Sequence, residues 1–276
     1  MGGVVRLTRK RIAAFQKLIY DYYCTHARIL PWRTTTDPYY VLVSEIMLQQ
    51  TQVPRVMTKY TKFIEAFPDF RTLDAAPLRD VLNVWQGLGY NRRALALKKV
   101  ARIVVSQFNG HLPQDVETLM TFPGIGKATA SAICAFAFGT PTVFVETNIR
   151  TVFIHCFFRN GDNVKDAEIL PLVEATLDKE TPREWYYALM DYGVMLKKEH
   201  GNLDRRSAHY KKQAPFEGSD RQIRGAILRL LTTKPLISEA QIVRELGAAP
   251  QRVRKNLDDL RQEGFIKRKG KKLEIA

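Results

Sequence analysis

Apolar residues recur at intervals of three and four along most of this chain. Between Thr8 and His26 they fall at Ile12, Phe15, Leu18, Ile19 and Tyr22, with Arg9, Lys10, Arg11 and Lys17 elsewhere on the cylinder. That is the spacing of an amphipathic helix. Asp37-Pro38 reads as an N-cap and first-turn proline for a helix over 39–50. Pro54 opens another, which Phe67-Pro68 breaks after Ala66. Leu78 to Trp85 is a short helix ended by Gly87-Leu88-Gly89-Tyr90. Asn91 is expected to cap a long helix with Leu95, Leu97, Val100, Ile103 and Val104 inward. Its other side carries Arg92, Arg93, Lys98, Lys99 and Arg102, either a solvated face or a track for phosphates. Asn109-Gly110 stops it. Short helical stretches at 115–121, 167–177 and 184–196, with an Ala-rich run after Gly126, complete the body. The period is helical nearly throughout, so the fold class is mainly α.

The pattern changes after a polar, basic stretch at 197–217. Arg221 to Leu231 reads as a helix, Ser238-Glu239-Ala240-Gln241 as a capping box opening a second, and Pro250 as the start of a third. In the third, Val253, Leu257 and Leu260 face inward while Arg252, Arg254, Lys255 and Arg261 face outward. Phe265-Ile266, a Lys267-Arg268-Lys269 turn and Leu273-Glu274-Ile275 then predict a β-hairpin. Three helices and a basic hairpin make a winged helix, whose third helix would enter a major groove and whose wing would touch phosphates. Winged helices also dock proteins; the charge here favours DNA.

Composition sharpens this. The 276 residues are 45% hydrophobic, enough for a real core, and Lys plus Arg outnumber Asp plus Glu by 43 to 28. A net charge of +15 points to nucleic acid before membrane. No apolar run reaches membrane-spanning length and no signal-peptide core is visible, so a cytoplasmic protein is expected, nucleoid-associated in a bacterium. Cys24, Cys134 and Cys156 lie far apart and form no CxxC, which predicts reduced thiols.

Two places carry chemistry. Phe122-Pro123-Gly124-Ile125-Gly126-Lys127 puts two glycines around one aliphatic residue between two helices. Glycine allows the sharp turn, and the amides at the next helix start form an anion site. This is the shape of a helix-hairpin-helix gripping a DNA phosphate. The second place is a pair of acids. Glu45 lies among Val41, Leu42, Ile46 and Leu48, and Glu146 follows Val143-Phe144-Val145. An acid in so apolar a setting is a solvated surface charge or a functional carboxylate.

Five motifs together resemble a known family. Leu30-Pro31-Trp32-Arg33, the run Ser44-Glu45-Ile46-Met47-Leu48-Gln49-Gln50-Thr51-Gln52-Val53, Trp85 to Tyr90, the hairpin, and Leu189-Met190-Asp191-Tyr192-Gly193 follow the order and spacing of the helix-hairpin-helix DNA glycosylases related to endonuclease III. Among these the chain is most similar to the MutY-type adenine glycosylases. The resemblance implies a six-helix barrel domain over 39–141, a second helical domain from 1–38 and 142–217, and a winged helix over 218–276. It implies a cleft that accepts a flipped base. Glu45 matches the acid that protonates the departing adenine, and Asn148 an active-site asparagine. Gln49 and Tyr90 match residues wedged into the base stack, with Gln50 beside them. Gly124, Ile125, Gly126 and Lys127 would hold backbone phosphate, joined by Arg252, Arg254, Lys255, Lys267, Arg268 and Lys269 of the tail. The barrel hairpin of this family can also bind a monovalent cation through backbone carbonyls.

Four departures bear on activity. The family's catalytic aspartate falls on Glu146. The lyase lysine of bifunctional members falls on Ala128, beside Lys127. The four iron-sulfur cysteines fall on Lys197, Asp204, Ser207 and Gln213, so no cluster and no metal site is expected. The domain that reads 8-oxoguanine in the family is expected to be missing, with the winged helix in its place. The expectation is a monomeric, monofunctional glycosylase acting on duplex DNA, excising adenine opposite guanine or 8-oxoguanine. The alternatives are a thymine or uracil mismatch glycosylase and a non-catalytic lesion binder.

Overall fold

The computed structural model describes residues 7–158 and 161–276. The helices are α1 (Arg9–His26), α2 (Pro38–Leu48), α3 (Val53–Ala66), α4 (Phe70–Ala75), α5 (Leu78–Trp85), α6 (Arg92–Gln107), α7 (Val116–Met120), α8 (Lys127–Phe138), α9 (Thr147–Phe157), α10 (Asp166–Thr176) and α11 (Pro182–His200). The tail adds α12 (Asp220–Thr233), β1 (Ile237–Ser238), α13 (Glu239–Leu246), α14 (Pro250–Gln262), β2 (Ile266–Lys269) and β3 (Lys272–Ile275). No helix among the described residues is long and apolar enough to cross a membrane.

Local signals account for most boundaries. Asp37 Oδ1 accepts from the amides of Tyr39 (2.8 Å) and Tyr40 (3.3 Å), starting α2. The Asp115 carboxylate accepts from Thr118 N at 2.7 Å, starting α7. The Ser238–Gln241 capping box forms with both of its bonds. Asn91 departs from expectation. It already has helical φ and ψ and its side chain caps nothing. Leu18 also departs, at 45% exposed: the buried residues of α1 are Phe15 and Ile19, with Tyr20 and Tyr23 packed beside them.

The chain forms two compact units. The first holds residues 7–41, 114–121 and 125–212. Its core joins Phe15 and Ile19 of α1, Phe136 of α8, Phe153 of α9 and Trp185 and Tyr186 of α11. Phe136 stacks on Tyr187 with centroids 4.6 Å apart, and Phe15 meets Trp185 edge-on at 5.9 Å. Such pairs add about 0.5–1.5 kcal/mol each beyond area burial. Asp191 of α11 is buried and accepts from both Arg33 terminal nitrogens at 2.8 Å, and from Arg28. Burial opposes that charge, but the two guanidiniums hold the carboxyl below its usual range. The Leu30 to Arg33 and Leu189 to Gly193 motifs are therefore two halves of one buried ion cluster.

The second unit holds residues 42–113, 122–124 and 213–276. Phe63 of α3 packs edge-on against Trp85 of α5 at 5.8 Å. The winged helix is part of this unit, with strand order β1-β3-β2, all antiparallel. It packs on the helices before it. Arg79 Nε donates to the Thr232 carbonyl at 2.8 Å and Gln86 Nε2 to Thr232 Oγ1 at 3.0 Å. Arg92 donates twice to the Glu263 carboxylate (2.9 and 2.6 Å), and Arg224 donates once, at 2.6 Å.

Candidate functional site

In the second unit, α2 delivers Glu45. Ser44, Ile46 and Met47 beside it are buried, while Glu45 itself is half-buried. The helix ends at Leu48, and Gln50 follows in the left-handed region with φ of 53°. Tyr90 also has positive φ, 47°. Left-handed backbone costs a non-glycine residue about 1–2 kcal/mol, and it persists where the surroundings dictate it.

The residue that dictates it here is Arg93. Its Nη1 donates to the carbonyls of Ile46, Met47 and Gln49 at 3.0, 2.7 and 2.5 Å. Its Nη2 donates to Thr51 Oγ1 at 2.9 Å and to the Gly89 carbonyl at 3.1 Å. One buried guanidinium thus ties the end of α2 to the loop before α6. Burial lowers its pKa to about 10, still well above neutrality. Lys98 is likewise turned in, donating to the carbonyls of Leu73, Asp74 and Ala76. Neither belongs to the basic outer face that the spacing of α6 predicts. Nothing in that spacing separates Arg93 from Arg92, which is exposed.

Gln49 is half-buried, and its Nε2 donates to the Gly124 carbonyl at 3.1 Å. Gln50 is exposed. Gly124 turns the hairpin with φ of 80°. Ile125 is buried, Gly126 is the N-cap of α8, and Lys127 and Ala128 are exposed in its first turn. Gly126, as N-cap, has no side chain to bond the first turn. From the tail, Arg221 Nη1 donates to Tyr90 Oη at 3.1 Å.

In the first unit Glu146 is the N-cap of α9. Its Oε1 accepts from the amides of Asn148 (2.8 Å) and Ile149 (2.9 Å). Its Oε2 accepts from Asn148 Nδ2 at 3.2 Å. Three N–H donors thus converge on one carboxyl group. Lys197 Nζ of α11 donates to Asn148 Oδ1 at 2.8 Å. The structure so brings Glu146, Asn148 and Lys197 into one chain of bonds. Helix α9 itself is absent from the pattern reading, because its Val, Ile and Phe content resembles a buried strand as much as a helix.

The positions of the cluster cysteines do other work. Asp204 accepts from Arg150 Nη1 at 3.1 Å, and Arg150 also grips Asp166 at 2.7 and 2.8 Å. Ser207 is buried and bridges to Val164. A cluster needs thiolates, and these positions offer an ammonium, a carboxylate already paired, a hydroxyl and an amide. The residues do not fit an iron-sulfur cluster. Cys24 is exposed, Cys134 buried and Cys156 half-buried.

In the tail, Arg252 pairs with Asp220 at 2.7 Å and Arg254 with Glu239 at 3.0 Å, both arginines staying exposed. Lys255, Lys267, Arg268 and Lys269 are exposed.

Residues 43–174 match the model of the HhH-GPD superfamily base excision DNA repair proteins, and residues 220–267 match a winged helix-turn-helix DNA-binding model. The adenine DNA glycosylase of Mycolicibacterium smegmatis is 33% identical over 261 residues, spanning 87% of this chain and 89% of that protein. The adenine DNA glycosylase of Buchnera aphidicola is 37% identical over 186 residues, spanning 66% of this chain but 52% of that protein's length. Among solved structures, a thermostable thymine-DNA glycosylase superposes with a TM-score of 0.61 at 28% identity, over 67% of this chain and 87% of that one. With the ordered motifs and these likenesses in agreement, the chain belongs to the HhH-GPD superfamily of base excision DNA repair proteins.

Proposed function

We propose that this protein is a monofunctional DNA glycosylase that hydrolyses the N-glycosidic bond of adenine mispaired with guanine or 8-oxoguanine. The observation that carries the reading is the Glu146 carboxylate, fixed by three N–H donors at the start of α9. Breaking this bond requires the leaving base to be neutralised and the sugar's developing positive charge to be tolerated. One protonated carboxyl and one carboxylate meet both needs. Glu45, on a helix of buried apolar neighbours, is assigned the proton, since burial favours the neutral acid. Glu146 is assigned the charge. Flipping the base costs a few kcal/mol, least at a mispair. Gln49 and Tyr90 are assigned the wedge into the stack with Gln50 beside them, and the Gly124 to Lys127 turn a backbone phosphate. No step uses an iron-sulfur cluster.

A second reading, excision of thymine or uracil opposite guanine, is favoured by the likeness to the thymine-DNA glycosylase. A panel of duplexes with A:G, A:8-oxoguanine, A:T, T:G and U:G pairs separates the two. Release at the first two is expected, leaving an abasic site that breaks only on alkali treatment, because Ala128 offers no amine to the sugar. Release of thymine or uracil instead would establish the second reading, and cleavage without alkali would overturn the monofunctional one.

The tail is proposed to add affinity through Lys255, Lys267, Arg268 and Lys269. Each phosphate that a protein neutralises adds about 0.9 to the steepness of the log–log salt dependence. Changing all four residues to Gln should therefore flatten the slope by about 2–4 in a binding titration from 50 to 200 mM salt. An unchanged slope would leave the winged helix as a protein-docking module.

A further inference from the structure

We propose that Lys197 is a positioning residue for the Glu146–Asn148 pair. It fixes the asparagine amide so that its nitrogen faces the carboxylate. This role rests on the glycosylase reading given above.

Gly193 and Lys197 are four residues apart on α11 and share one face of it. A Cβ at Gly193 would collide with the Asn148 carbonyl oxygen. Only glycine lets α11 approach α9 this closely. One turn further on, Lys197 reaches the Asn148 side chain. The same helix thus abuts Asn148 at its backbone with a glycine and at its side chain with an ammonium.

The chemistry then leaves one orientation. Asn148 Oδ1 accepts from Lys197 and Nδ2 donates to Glu146 Oε2. Rotating the amide by half a turn would set its NH₂ against the ammonium, donor to donor. It would also set its oxygen against the carboxylate, acceptor to acceptor. A neutral or absent side chain at 197 removes half of that discrimination. Asn148 could then turn away, and the Glu146 carboxylate would lose the donor on its Oε2. The lysine is half-buried, and burial works against its charge. The carboxylates of Glu146 and Asp204 support that charge, while Arg150 opposes it. Arg150 is in turn held by Asp166 and Asp204.

The test is single-turnover base release by Lys197→Met, which keeps the stem and removes the ammonium. The rate constant should fall about 10- to 100-fold, the range expected for a misplacement near 1 Å. Duplex affinity should hold within about twofold, since Lys197 is assigned no part in DNA binding. Lys197→Arg, which can still donate to Asn148 Oδ1, should recover part of the loss. Lys197→Met and Asn148→Ala combined should cost little more than Asn148→Ala alone, because the lysine acts through the asparagine. If Lys197→Met does not fold, Lys197→Leu carries the same expectation. Wild-type release by the methionine or leucine variant would overturn the proposal, as would additive losses in the double variant or stoichiometric iron in the purified protein. An inactive wild type would instead overturn the glycosylase reading, and this proposal with it.

Discussion

Glu45→Gln is expected to reduce adenine release by about 10²- to 10⁴-fold, the range in which a positioned general acid contributes. Duplex affinity should stay within about twofold, because the amide has the carboxyl's shape and lacks only its proton. The framework makes this a clean test. Glu45 lies between buried Ser44 and buried Ile46, and the end of its helix is clamped by Arg93. Single-turnover release and fluorescence anisotropy on one A:8-oxoguanine duplex measure both quantities. The result also separates the substrates. Adenine leaves more readily once a ring nitrogen is protonated, whereas a pyrimidine has no N7 to receive the proton. Release of thymine with only a few-fold loss would therefore reassign the enzyme, and unaltered release of adenine would remove Glu45 from the acid role.

The helical body, the hairpin and the winged helix are legible in the sequence because each depends on signals within a few residues. Asp37 and Ser238 cap the helices that their positions predict. Leu78 to Trp85 is a helix with those bounds. What stays hidden depends on partners distant in sequence. Arg92 and Arg93 are adjacent basic residues at one helix start. The first is exposed and meets Glu263 of the tail, while the second is buried among the carbonyls of 46–49. Periodicity sees a polar residue in both cases. Lys197 reads as one more charge in a basic stretch until α11 is laid against α9. The departures from the family's pattern are visible as letters, but their consequences are not. Asp204 meeting Arg150, and Lys197 meeting Asn148, are contacts across roughly fifty residues that no local rule supplies.

Glu146→Gln is expected to abolish base release, by at least about 100-fold, and Glu146→Asp is expected to bring no gain. The residue is longer by one methylene, about 1.5 Å, than the aspartate of the family it resembles. In the structure the longer side chain serves as the N-cap of α9. The carboxylate reaches the amides of Asn148 and Ile149, the second and third residues of α9. These are the amides that a short capping side chain normally serves. Glutamine can keep both bonds through its own oxygen, so stability should change little. Its Nε2, however, would face Asn148 Nδ2, donor to donor, and the negative charge proposed to stabilise the sugar would be gone. Aspartate is an ordinary N-cap and should also fold. Its carboxylate would sit about 1 Å nearer the backbone, enough to lower the rate as much as 100-fold. Glu146→Ala, losing the cap entirely, should cost about 0.5–2 kcal/mol of stability in a denaturant titration. Single-turnover release across the three variants decides the matter. A faster aspartate variant would mean that glutamate holds its charge in the wrong place. A glutamine variant as fast as wild type would mean that Glu146 is a cap alone, and that the second carboxylate lies elsewhere.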